Sequence, residues 1–211
     1  MASVTDKPIT AAIYPHYHAD HIGDIARYVE AAAAAGHDLE IIASTKTAEV
    51  MNLHQSIFPR PTKVLQSPRD SFTFEDLTVE LHGFEYAAHT DDHSAWLLVE
   101  PRIVHSSDLI NPDQPPFWKF AGNERFRFHE DNLREVYDLE WDYLSGSHGN
   151  IGSRADIDFE LQFVADLKAA VGQAIGEHPF TDFVEYGELY GFEEGAVPNA
   201  EMVTWAVFEY R

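Results

Sequence analysis

The chain has 211 residues, 45% of them hydrophobic, which is enough for one sizeable domain with a real core. It carries 36 Asp and Glu against 14 Lys and Arg, and a formal charge of -22 repels phosphate backbones, so no nucleic-acid partner is expected; the acidic, Lys-poor composition suits either a salty habitat or plain solubility. The absence of Cys excludes disulfides, a thiolate nucleophile and Cys-based metal sites, and with neither a signal pattern nor an apolar run near the roughly 18 residues of a membrane span, a cytoplasmic chain without a membrane partner is expected.

Ile9 to Tyr14 (ITAAIY) is a short apolar run ended by Pro15, and it reads as a buried strand emptying into the loop HYHADH, His16 to His21. Ile22, Ala26, Val29 and Ala33 then recur at helical spacing with Gly36 as a stop, which puts Asp20 or His21 at a helix entrance. Leu39 to Ala43 reads as a second strand, and Thr45 to Gln55 as a second helix closed by Pro59-Arg60-Pro61. Ser71 to Phe74, Leu77 to Phe84, Ala95 to Glu100 and Arg102 to His105 are short strand candidates that suggest antiparallel pairing. Asn132-Leu133-Arg134-Glu135 fits a capping box that opens a helix, and Tyr143 to Ser145 is a small strand leading into Ser147-His148-Gly149. Ile157, Leu161, Val164, Leu167, Val171 and Ile175 form an amphipathic stripe ending at Gly176, and Ala196 onward reads as a final helix. The expected architecture is one mixed α/β layered domain over residues 1–211.

His16 and His18 are two apart on a loop, so both imidazoles can converge on one cation, while Asp20 and His21 can reach a second position beside it; imidazole and carboxylate are the usual zinc ligands when thiolate is absent. One loop rarely completes such a site, and further ligand types follow other strand candidates: His89 in AHTDDHS, Asp108 in VHSSDL and His148 in SGSHG. His82 and His93 compete with His89, and His93 is also a candidate for contact with a ligand histidine or the substrate. His105 is either a partner of Asp108 or a strand-end His satisfied by backbone. Asp91 and Asp92 either tune a nearby dication or form a solvated acidic turn; Phe117, Trp118 and Phe120 either wall a substrate groove or pack under a loop. His37, His54, His129 and His178 read as surface or packing residues.

In this order the set resembles the metallo-β-lactamase-fold hydrolases. HYHADH matches the family's His-x-His-x-Asp-His motif in full, His89-Thr90 is similar to its His-Thr element, Ser107-Asp108-Leu109 to its bridging-Asp segment and Ser147-His148-Gly149 to its closing His-Gly element. The Pro-Gly usual after His-Thr is replaced by Asp91-Asp92. The resemblance implies an αββα sandwich with two zinc ions, iron or manganese being chemically allowed in their place. His16, His18 and His89 would hold one ion, Asp20, His21 and His148 the other, and Asp108 would bridge them. It further implies that a hydroxide shared by the metals attacks an ester, lactone or thioester carbonyl of a small-molecule substrate, with Asp20 accepting and passing on the proton. Asp108 is similar to the pattern of lactonases and hydroxyacylglutathione hydrolases more than to that of dedicated β-lactamases. The alternatives are β-lactam hydrolysis, sulfatase or phosphodiester chemistry on the same metals, and a non-catalytic metal-binding fragment or scaffold. Only 15 residues precede His16, so the family's N-terminal strands are expected to be missing, and an unpaired sheet edge to favour a homo-oligomer.

Overall fold

The computed structural model describes residues 6–116 and 119–177, so Phe117, Trp118, His178 and the helix expected from Ala196 onward lie outside the described residues. The chain divides into two compact units, Met1–Leu161 and Gln162–Arg211.

The first unit holds two sheets. Strand β1 (Ala11–Ile13) pairs in parallel with β2 (Glu40–Ser44), which pairs in parallel with β3 (Lys63–Leu65). Ile41, Ile42 and Ala43 are all buried, the continuous apolar run of a strand covered on both faces. β3 is not evident from the sequence, since its three residues begin one residue after the Pro-Arg-Pro breaker. The single helix expected after HYHADH is two, α1 (Ala19–Ile22) and α2 (Ile25–Ala34). The break falls at Gly23, whose N–H closes on the Ala19 carbonyl at 2.7 Å, where a side chain would stand only 2.4 Å from that oxygen. Helix α3 (Thr45–Leu53) is capped by Ser44, whose Oγ accepts from the Thr47 N–H at 3.0 Å.

The second sheet has the order β4 (Arg69–Phe74), β5 (Leu77–Gly83), β6 (Ser94–Leu98), β7 (Ile103–His105), β8 (Tyr143–Ser145), β9 (Ile151–Gly152). The expected antiparallel pairing holds from β4 to β7, β7 and β8 run parallel, and β8 and β9 antiparallel. Along β5 the buried Val79, Leu81 and Gly83 alternate with half-buried neighbours, and Leu81 sits opposite Trp96.

Three core clusters define the layers. Ile42 and Leu65 of the first sheet meet Phe72, Val79, Leu81 and Trp96 of the second. Ile22, Ile25 and Ala32 cover the other face of β2, and Leu133 and Val136 of α4 (His129–Tyr137), with Ile157 of α5 (Arg154–Glu177), cover Leu97, Val104 and Leu144. The result is the expected α/β arrangement of helix, sheet, sheet and helix.

Asn132 does not open a helix as the capping-box pattern predicts. It lies inside α4, where its side chain accepts from the Ala88 N–H at 2.8 Å and donates to the Tyr86 carbonyl at 3.0 Å. In the second unit residues 162–177 continue α5, with Leu167, Val171 and Ile175 exposed. Among the described residues no helix is long and apolar enough to cross a membrane.

Candidate metal centre

Strands β5, β7 and β8 point the same way in their sheet, and the carboxyl end of each leads into a loop with a ligand-type residue: His89, Asp108 and His148. The loop after β1 supplies His16 and His18, and the short α1 supplies Asp20 and His21. Asp108 takes a left-handed conformation (φ 59°), which Asp tolerates better than most residues. His148 precedes Gly149 (φ 98°), where a side chain would stand 2.8 Å from the Pro112 carbonyl oxygen, so the turn that presents His148 requires glycine.

The structure brings all seven expected residues together as two groups that share Asp108: His16, His18, His89 and Asp108, and Asp20, His21, Asp108 and His148, with the ligand atoms of each group within 4.8 Å of one another. In the first group His89 Nε2 lies 3.2 Å from His16 Nε2, from His18 Nδ1 and from Asp108 Oδ2, and His16 Nε2 lies 3.4 Å from the same oxygen. A neutral imidazole nitrogen carries either a proton or a lone pair, so no assignment of protons satisfies all of these close approaches. One cation at their centre would, and the donor set of nitrogen and carboxylate oxygen suits zinc-class ions. In the second group His21 Nε2 is 2.8 Å from Asp108 Oδ2 and 3.3 Å from Asp20 Oδ2, while His148 Nε2 is 3.2 Å from Asp108 Oδ1 and 3.4 Å from Asp20 Oδ2.

The two groups differ in access. His16 and His89 are buried, whereas the side chains of His148 and Asp20 are 42% and 56% exposed. Burial, reinforced by the neighbouring histidines, drives the pKa of His16 far below the ordinary imidazole value, and burial with His89 lowers that of His18, so both stay in the neutral form that can ligate. At His21 burial pulls down, but the hydrogen bond and charge of Asp108 and the charge of Asp20 together outweigh it and the pKa is raised. Burial pushes Asp108 up, yet hydrogen bonds from His21, His89 and Ser147 hold it far below the usual carboxylate range, so both its oxygens remain charged acceptors.

Other candidates fall elsewhere. His82 pairs with Glu80 at 3.0 Å on the sheet, and His105 Nδ1 meets Ser145 Oγ at 3.1 Å, outside both groups. His93 does not stand on the open side as a substrate-facing residue would: at 1% exposure it is packed against Phe84, with its ring centre 5.8 Å from that of His16 and 5.6 Å from that of His89, and burial holds its pKa down to about 3. The acidic turn also divides. Asp91 is exposed and ion-paired with Arg125, but Asp92 is buried. Sequence reasoning missed two hydroxyls: Ser147 Oγ donates to Asp108 Oδ1 at 2.8 Å, and Ser107 Oγ lies 3.3 Å from His21 Nδ1. The only signal for them was adjacency to a ligand. Of the histidines read as surface or packing residues, His54 is exposed and stacks on Tyr17 at 5.1 Å, and His129 is buried and meets Glu160 at 3.0 Å.

The sequence model of the metallo-beta-lactamase superfamily matches residues 2–161. No curated protein matches the chain. Among solved structures it is similar to a metallo-beta-lactamase from Pontibacter korlensis (TM-score 0.61, 18% identity, 75% of this chain and 70% of that one covered) and to one from Hirschia baltica (TM-score 0.58, 17% identity, 74% and 68% covered). It is also similar to the DIM-1 metallo-beta-lactamase (TM-score 0.60, 13% identity, 74% and 68% covered). At these identities the likeness speaks for the fold.

Proposed function

The chain belongs to the metallo-beta-lactamase superfamily and as such is a metal-dependent hydrolase; from that premise we propose a centre of two zinc ions acting on a small carboxylic ester, lactone or thioester. The observation that carries this reading is Asp108, 4% exposed, which turns Oδ2 toward His16, His21 and His89 and Oδ1 toward His148, so that one carboxylate serves both groups. Bound there, a pair of divalent ions would bring the pKa of a shared water toward neutrality and polarise a substrate carbonyl.

The protein's own residues supply the rest. Burial of His16 and His89 closes one side of the first group, and Ser147 holds Asp108 in place through its 2.8 Å hydrogen bond. Asp20, on the open side with Oδ2 turned to His21 and His148, would take a proton from that water and return it to a leaving group. Asp108 at the shared position resembles the pattern of lactonases and hydroxyacylglutathione hydrolases more than that of dedicated β-lactamases, and that resemblance is what favours ester-type substrates here.

The test is elemental analysis of protein purified without chelator, followed by turnover on a panel of esters, lactones, thioesters and β-lactams. About two zinc-class ions per chain and turnover confined to the first three classes are expected. Preference for β-lactams would reassign the substrate, iron or manganese would reassign the metal, and a metal-loaded protein inert on the whole panel would favour a metal-binding scaffold.

A further inference from the structure

Residues 108–113 and residues 145–153 form two segments that each carry a member of the second group, Asp108 on one and His148 on the other. They lie side by side and are joined at three places. Beside the centre, Ser147 Oγ accepts from the Asp108 N–H at 3.2 Å and donates to Asp108 Oδ1 at 2.8 Å. In the middle, the buried Pro112 is pressed against three glycines of the facing segment. A methyl group on Gly146 would stand 2.8 Å from Pro112 Cδ, one on Gly149 2.8 Å from the Pro112 carbonyl oxygen, and one on Gly152 2.7 Å from Pro112 Cγ, all well inside van der Waals contact. Gly146 and Gly149 bracket His148. At the far end Asp156, in the first turn of α5, accepts from the Asp113 N–H at 3.1 Å through Oδ1 and from the Ser153 N–H at 2.8 Å through Oδ2, so that one carboxylate holds both segments. Asn150 closes the same end, with its N–H 3.4 Å from the Pro112 carbonyl oxygen and its side chain donating to Asp113 Oδ2 at 2.9 Å. Proline suits the middle place because its ring is rigid and it leaves no N–H to be orphaned under the facing loop. His148, with its side chain 42% exposed, owes its place less to packing than the buried His16 and His89 do, and more to the backbone beneath it.

We infer that Pro112 is a positioning residue for the open half of the centre: its ring sets how closely the turn that bears His148 approaches the loop that bears Asp108. The inference rests on the two-ion reading above. Pro112 offers no ligand atom and acts only through the glycines packed on it, so its effect falls on the group that contains His148 and spares the three-histidine group, whose imidazoles come from other loops.

The experiment is a zinc titration of the full chain against a chromophoric chelator, with the histidine ring signals followed by NMR to identify each position. Wild type is expected to fill both positions. Pro112→Ala, which removes the ring carbons Cγ and Cδ that face Gly152 and Gly146, should weaken the position sensed by His21 and His148 by about tenfold or more and leave the one sensed by His16, His18 and His89 within about threefold of wild type. Gly152→Ala presses a methyl group onto the same ring and should weaken the same position; in a Pro112→Gly background, where Cβ and Cγ are gone, it should cost less, the non-additivity of residues in contact. Wild-type affinity at the His148 position in Pro112→Ala, or a loss of equal size at both positions, the mark of a merely structural role, would overturn the inference. If Pro112→Ala does not fold, unchanged affinity in Gly152→Ala overturns it alone. Wild type that holds no zinc at the position sensed by His21 and His148 would instead end the two-ion reading, and this one with it.

Discussion

Replacing Asp108 by Ala removes the oxygens that both ligand groups share and leaves His21 without its 2.8 Å partner. Asp108→Ala is therefore expected to retain less than one ion per chain and to lose most of its activity, by elemental analysis and turnover; Ser147→Ala, which removes one hydrogen bond to the same carboxylate, should cost about tenfold in metal affinity. The titration of individual side chains gives a second expectation. His16, His18 and His93 have pKa values depressed by burial, so on acidification below about 6.5 the unfolded chain takes up protons that the native metal-free chain does not. Stability from these groups is thus full above about pH 6.5 and is lost as pH falls from there toward the value of about 3 at His93. His21, raised, works in the opposite sense above its ordinary value, and its contribution fades as pH rises through the raised pKa. Thermal melts of the metal-free protein should show a midpoint that drops between about pH 6.5 and 4.5; a midpoint that holds or rises over that range would contradict the assignment. At this scale the seven residues that cluster were legible because metal-binding chemistry is written in residue type and short spacing. The burial of Asp92 and His93 was not, because in HTDDH nothing local distinguishes the acid or imidazole that turns inward from the one that stays wet.

Among the elements, α4 carries a load its sequence does not announce. Asn132 satisfies the Ala88 N–H and the Tyr86 carbonyl, so the helix holds the backbone that leads into His89. Asn132→Ala leaves both groups without their partner, and a loss of about 2 kcal/mol in urea unfolding is expected, with weaker metal retention as the accompanying sign. A change under about 0.5 kcal/mol would mean that water replaces the side chain at no cost. The capping-box reading failed here because Asn and Glu three apart also occur within a helix, where tertiary partners set the role of Asn. The strands of the second sheet were legible from period-two alternation along Leu77 to Gly83. Strand β3 was not, since three residues after a proline pair carry no period at all.

For the molecule as a whole, 36 acidic against 14 basic residues means self-repulsion in the folded state that salt screens. Raising sodium chloride from about 0.05 M to 1 M should lift the melting midpoint by several degrees, and a flat or falling midpoint would show that the charges are already offset by pairing. That effect is readable from composition alone, whereas the layering of two sheets depends on contacts such as Ile42 with Leu81 and Trp96, far apart in sequence. The unequal burial of the ligand histidines has a consequence for chemical reactivity. A histidine-directed acylating reagent applied to the metal-free chain would reach His148 well before His16 or His89, which are sealed against solvent. The centre thus has a door and a back wall: among the described residues, an ion or reagent added to the metal-free chain is expected to meet His148 and Asp20 before it meets the buried imidazoles.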